Sequence, residues 1–155
     1  MLKEAQPASD HAGDMKVGSV PIKKETELNF KKLMEMVQPG DSLLLLMHGS
    51  PDPDAIASAM TLMEIVRRTT GLSKSVFVST EPLVRQQNIA FASSMHVRIQ
   101  LINQIEFNAY RLTALLDAQP SFFDDSLKFI RPQIVFDHHP YEGQWSAELM
   151  DVRPN

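Results

Sequence analysis

The stretch Leu43-Leu44-Leu45-Leu46-Met47-His48-Gly49-Ser50-Pro51-Asp52-Pro53-Asp54-Ala55-Ile56-Ala57-Ser58-Ala59-Met60 decides how the rest of the chain is read. It opens with five apolar residues in a row, preceded by Asp41-Ser42 and followed by a polar loop. Such a run fits a strand buried on both faces, as in a parallel sheet, better than a strand with one wet face. Beyond the loop, Ile56, Met60, Met63 and Val66 recur at helical spacing up to Arg67-Arg68-Thr69-Thr70. Asp54 is the natural N-cap of that helix and Gly71 its stop. The stretch thus reads as a strand, a polar loop and a helix, the first half of a βαβ unit.

Working outward, the pattern repeats. Upstream, Leu28, Leu33, Met36 and Val37 predict a helix from about Glu25 that Pro39-Gly40 ends and that packs on the outside of the domain. Downstream, strands are expected at 75–78, 98–101, 112–116 and 133–136, with helices over 83–94 and 121–130. Alternating strands and helices imply right-handed crossovers and an α/β fold, a doubly wound, mostly parallel sheet flanked by helices. Residues 1–24 are rich in small, polar and turn residues and read as a flexible tail, leaving 25–155 as a single domain.

Composition narrows the function. With 43% hydrophobic and 22% charged residues in 155, the chain has the make-up of an ordinary globular domain. The absence of Cys excludes a disulfide scaffold, a thiolate zinc site, an iron–sulfur cluster and a cysteine nucleophile. A net charge of −4 argues against a nucleic-acid coat or a polybasic membrane anchor. No apolar leader follows Met1 and no apolar run is long enough to span a bilayer, so a cytoplasmic protein without membrane contact is expected.

Three polar clusters each follow an apolar strand: His48 to Asp54, Asp117-Ala118-Gln119, and Asp137-His138-His139-Pro140. In an open parallel sheet, residues just past the carboxyl ends of the strands line one crevice, so the clusters are expected to converge. So many carboxylates in one cleft repel and raise one another's pKa values unless a cation holds them together. Carboxylate and imidazole ligands without thiolate suit Mn²⁺, Fe²⁺, Co²⁺ or Zn²⁺, and five or more of them exceed what one ion needs. A pair of ions about 3.5–4 Å apart generates hydroxide near neutral pH and clamps a phosphoryl group.

His48-x-x-Pro51-Asp52-x-Asp54-Ala55, the lone Asp117, and Asp137-His138-His139 resemble, in this order, the first three motifs of the DHH phosphoesterase superfamily. That group includes nanoRNase-like oligonucleotidases, dinucleotide phosphodiesterases, exopolyphosphatases, family II pyrophosphatases and RecJ exonucleases. The resemblance implies that His48 and Asp52 hold one metal and Asp54 the other, with Asp117 bridging and His138 a ligand of the second. It further implies that His139 contacts the scissile phosphate and helps protonate the leaving group, and that Asp137 orients rather than ligates. The implied cofactor is Mn²⁺, two ions, with Mg²⁺ or Co²⁺ as substitutes; the implied substrate is a small nucleotide or short oligonucleotide, and a homodimer is expected. Family members carry a further metal-binding Asp and a C-terminal substrate-binding domain of the DHHA1 type. Neither is visible here, since Asp151 stands too close to His139 for that fourth motif, so the chain reads as the N-terminal part of such a protein.

Each cluster alone has a plainer reading. Asp54 caps a helix, Asp117 caps the helix expected after it, and adjacent histidines are a surface accident. Their joint occurrence in order favours the metal site. His11 lies in the tail and His96 in a segment without an acidic neighbour, so both read as structural or solvent-exposed, and Met34, Met36, Met47, Met60 and Met63 as core filling. Two alternatives to the phosphoesterase stand beside it. One is a catalytically incomplete nucleotide-binding or regulatory DHH module; the other is pyrophosphate or polyphosphate hydrolysis, disfavoured because the loop lacks the Asn-Pro-Asp-Thr-Asp-Ser form.

Overall fold

The structure, a computed structural model, describes residues 23–154, so the expected tail lies outside the described residues except at Lys23 and Lys24. Its elements are α1 (Lys24–Met36), β1 (Ser42–Met47), α2 (Pro53–Thr70), β2 (Lys74–Ser79), α3 (Gln86–Ser94), β3 (Ile99–Leu101), β4 (Leu112–Leu116), β5 (Ile134–Asp137) and β6 (Leu149–Val152). The strands form one six-stranded sheet in the order β3-β2-β1-β4-β5-β6. Every pairing is parallel. The fold is therefore the α/β doubly wound one, with the strand order reversing between β1 and β4.

β1 is buried because both its faces are covered. Leu43, Leu45 and Met47 face the side on which α1, α2 and α3 pack. Leu44 and Leu46 face the other side, with Val76, Val78, Leu115 and Val135. Each of these side chains contributes roughly 1.5–3 kcal/mol of burial. The second face is covered not by α-helices but by irregular chain with short 3₁₀ turns at Ile102–Gln104, Phe107–Ala109 and Pro120–Phe122.

The helix expected over 121–130 does not form. Asp124 Oδ1 accepts from both the Ser126 N–H (2.9 Å) and the Ser126 hydroxyl (2.6 Å), a local turn that competes with helical bonding. The turn lets Phe123 and Ile130 both enter the core beneath the sheet. Two apolar stripes also differ from expectation. In α2 the buried residues are Ala55, Ile56, Ala59, Leu62 and Val66, with Met60 and Met63 only partly buried, because the alanines let the helix lie close on the sheet. In α1 Leu28 is 57% exposed, and Leu33 with the following Val37 makes the contact. The cap of α2 is Asp52 rather than Asp54: its Oδ1 accepts from the N–H groups of Asp54 and Ala55, both at 3.0 Å. Gly71 closes the helix with φ 69°, as expected of a left-handed C-cap. β6, unmarked in the sequence by any long apolar run, pairs with β5 at the sheet edge.

Register sets the level of the polar clusters. Met47 pairs with Leu116 and Leu116 with Phe136, so His48 and Asp117, the first residues past β1 and β4, stand level with Asp137, the last residue of β5.

Candidate metal centre

Asp117 is the first residue past β4 and takes φ 56°, a left-handed conformation that Asp tolerates better than most residues. Its N–H donates to Phe136 O at 2.8 Å, which ties the end of β4 to the end of β5. The Asp117 Oδ1 lies 3.0 Å from His138 Nε2. Burial pushes the Asp117 carboxyl above its ordinary range; His138 and His139 oppose the shift, and Asp52 and Asp137 add to it as like charges.

His139 is held from the other side. Its Nδ1 donates to Asp137 Oδ1 at 2.8 Å, and the Asp137 side chain is fully buried. Because a carboxylate only accepts, Nδ1 carries the proton and Nε2 has the lone pair in the neutral ring. The hydrogen bond to Asp137 raises the His139 pKa, with burial opposing it. Asp117, His138 and His139 each offer a ligand atom within 4.8 Å of the others.

The β1–α2 loop brings the remaining acids. Asp54 lines the same cavity of about 740 Å³ as Asp117, Asp137 and His138. Asp52 caps α2 and lies within electrostatic reach of Asp117 and His139. His48 turns the other way: its Nε2 donates to Phe122 O at 2.9 Å, and its ring packs near Phe122 and Phe123. The His48 Nδ1 lone pair is buried without a hydrogen-bond partner. Burial lowers the His48 pKa, with Glu81 and Asp124 opposing the shift. An imidazole that donates one N–H to a carbonyl and keeps the other nitrogen bare is in the state a metal requires. The described residues therefore bring Asp117, His138 and His139 into one group, set Asp52 and Asp54 beside it, and leave His48 outside it.

The donor set fits a divalent transition metal: imidazoles, carboxylates whose mutual repulsion a cation relieves, and no thiolate. Asp151 does not extend the set, because Arg153 grips both of its oxygens and also donates to Thr26 Oγ1 at 2.9 Å.

Three residues support the site, and the sequence marks only Gln119, as a member of the cluster after β4 and without its role. Gln119 is fully buried and bonds Asp137. Asn88 of α3 donates to Pro51 O at 2.9 Å, and the Thr80 hydroxyl accepts from Gly49 N at 2.6 Å, so both brace the β1–α2 loop. Their partners are mostly backbone groups, which no side-chain pattern marks.

No family model matches the chain. No solved structure matches it either. It is similar to a protein of Methanocaldococcus jannaschii described as uncharacterized, with 32% identity over 114 residues. The match covers 72% of this chain and 23% of that protein, so the chain spans about a quarter of its relative's length. Among the described residues, no helix is long and apolar enough to cross a membrane.

Proposed function

We propose that this chain is the metal-binding domain of a divalent-cation-dependent phosphoesterase of the DHH type, acting on a nucleotidic or short oligonucleotide phosphoester. The observation that carries the reading is the meeting of Asp117, His138 and His139 just past the carboxyl ends of β4 and β5. They stand beside the β1–β4 reversal, where open α/β sheets bind ligands. The order of the motifs in the sequence supplies the reaction class.

On this reading Asp52, Asp54, Asp117 and His138 would hold the Mn²⁺ ions; the ligand role the resemblance implies for His48 is not carried over, since its ring lies outside the group, against Phe122 and Phe123. The chemistry supplied by bound cations is Lewis acidity toward the phosphoryl oxygens and activation of water near neutral pH. The chain's own residues do the rest. Asp137 takes the Nδ1 proton of His139 as a hydrogen bond and so fixes which nitrogen is free for the substrate. As the imidazolium, protonated on both nitrogens with Nδ1–H held by Asp137, His139 would give its Nε2 proton to the departing oxygen and be left as the neutral Nδ1–H ring. Leu62 and Leu116 are buried and line the cavity with Asp117, giving it an apolar wall. The reading also carries a cytoplasmic location and a homodimer.

The test is turnover of a 5′-phosphorylated dinucleotide and of a p-nitrophenyl phosphodiester by the Mn²⁺-loaded protein. Hydrolysis is expected, and His139→Ala lowers kcat by about 100-fold or more. Absence of hydrolysis with each of Mn²⁺, Mg²⁺ and Co²⁺ contradicts the proposal.

A further inference from the structure

The β1–α2 loop, which carries Asp52 and Asp54, is laced to the stretch from Thr80 to Asn88 that follows β2. Thr80 N donates to Met47 O at 3.2 Å, and the Thr80 hydroxyl accepts from Gly49 N at 2.6 Å. Glu81 N donates to Gly49 O at 3.1 Å, and Val84 N to Ser50 Oγ at 3.3 Å. The last bond of the series runs from Asn88 Nδ2 to Pro51 O at 2.9 Å. The phosphoesterase reading has no use for this contact, yet it adjoins the acids. The peptide whose oxygen it holds is the one that joins Pro51 to Asp52.

The placement of Asn88 on α3 suits that reach. The buried residues of this helix are Asn88 and Ala92, four apart and so on one face. Ala92 joins the core, and Asn88, 1% exposed, bonds the loop from the turn before it. A carbonyl only accepts, so the amide presents its NH₂ to Pro51 and its orientation is fixed. Its Oδ1 is buried and, among the described residues, has no hydrogen-bond partner. A buried acceptor left unbonded opposes folding, so the side chain is a poor choice for stability alone. What it supplies is a donor at one fixed point.

That donor acts where the backbone has freedom left. The proline ring sets φ of Pro51, so the course of the chain into Asp52 depends on ψ of Pro51 and φ of Asp52. Both describe the setting of the peptide plane whose oxygen Asn88 holds. On the far side, Asp52 Oδ1 accepts from the N–H groups of Asp54 and Ala55. Asp52 is therefore fixed by its backbone before the residue and by its cap after it, and Oδ2 is the oxygen the cap does not use.

We infer that Asn88 is a positioning residue for the metal centre: through the Pro51 carbonyl it sets the backbone at Asp52, and so the place from which this carboxylate reaches a divalent cation. The inference rests on the phosphoesterase reading for Asp52 as a ligand, but not for the hold on its backbone. An Asn88 of structural use alone would tie α3 to the loop and leave metal affinity unchanged.

Asn88→Leu keeps a side chain of similar shape and removes the donor. The first readout is Mn²⁺ affinity by calorimetry in a double-mutant cycle with Asp52→Asn, with folding checked by thermal melting. Asn88→Leu is expected to weaken Mn²⁺ binding about tenfold in the native chain and less than about twofold beside Asp52→Asn, where the carboxylate it would place is gone. Unchanged affinity in the single variant, or the same loss in both backgrounds, overturns the proposal.

The second readout needs no metal. Residual dipolar couplings of the backbone N–H groups in the metal-free protein are expected to change at Asp52 in Asn88→Leu and to stay in place from Ala59 to Val66. Coincident couplings at Asp52 overturn the proposal. They decide alone if the native chain or Asp52→Asn binds no Mn²⁺, and a native chain without binding counts against the metal reading only. Should Asn88→Leu not fold, Asn88→Ala takes its place. Should neither fold, the native protein decides through the scalar coupling across the hydrogen bond from Asn88 Nδ2 to the Pro51 carbonyl carbon: a measurable coupling is expected, and its absence overturns the proposal.

Discussion

Asp117 joins two unfavourable features at one position, a left-handed backbone with φ 56° and a carboxylate raised in pKa by burial and by Asp52 and Asp137. Strained backbone and desolvated charge gather at functional sites, where they oppose stability. Asn tolerates the same backbone and can still accept from His138, without the charge. Asp117→Asn is therefore expected to raise the unfolding free energy of the metal-free protein by roughly 0.5–2 kcal/mol while weakening Mn²⁺ binding, as denaturant melts and metal titration together will show. A loss of stability with unchanged metal affinity would assign Asp117 to the scaffold. Asp52 divides in the same way. Asp52→Ala removes the α2 cap at a cost of about 1 kcal/mol, whereas Asp52→Asn keeps the cap and is expected to fall within about 0.5 kcal/mol of the native chain. If both variants weaken Mn²⁺ binding but only the first lowers the melting temperature, capping and ligation are separate duties of one carboxylate.

At the scale of elements, what was legible in the sequence is what burial writes into it. β1, β4 and β5 are covered on both faces, so Leu43 to Met47, Leu112 to Leu116 and Ile134 to Phe136 read as continuous apolar runs. The polar residues that end those runs were visible for the same reason, and with them Asp117 and the Asp137-His138-His139 cluster. The 121–130 segment misled because its apolar spacing mimics a helix, while the short-range bonds of Asp124 to Ser126 bend the backbone instead. The buried face of α2 does not follow side-chain size, because the small Ala55 and Ala59 face the sheet. The bracing of the site by Gln119, Asn88 and Thr80 was not legible: each bonds backbone groups brought near only by the completed fold.

Across the whole molecule, one ion pair links the start of the sheet to the helical layer. Arg111, just before β4, reaches both carboxylate oxygens of Asp41 and the carbonyl of Met36 at the end of α1. The guanidinium holds the Asp41 carboxyl below its ordinary range, with burial opposing. Because the folded pKa is the lower one, the stabilisation is present above the unfolded value near 4 and is lost as pH falls through the folded value. Arg111 is half exposed, which limits the pair to about 0.5–1 kcal/mol at neutral pH. Arg111→Met is expected to cost that much at pH 7, and its stability to converge on that of the native chain in acid; a constant gap across the pH range would contradict the assignment.

The same whole-molecule view holds the central claim, that strand register brings the ends of β1, β4 and β5 to one level so that their acids and imidazoles bind divalent metal. Calorimetric titration of the metal-stripped chain with Mn²⁺, repeated with His138→Ala, tests it most directly. About two ions bound with micromolar or better affinity, weakened at least tenfold by the substitution, is the result this account predicts. No saturable binding, or equal binding by both chains, would contradict it.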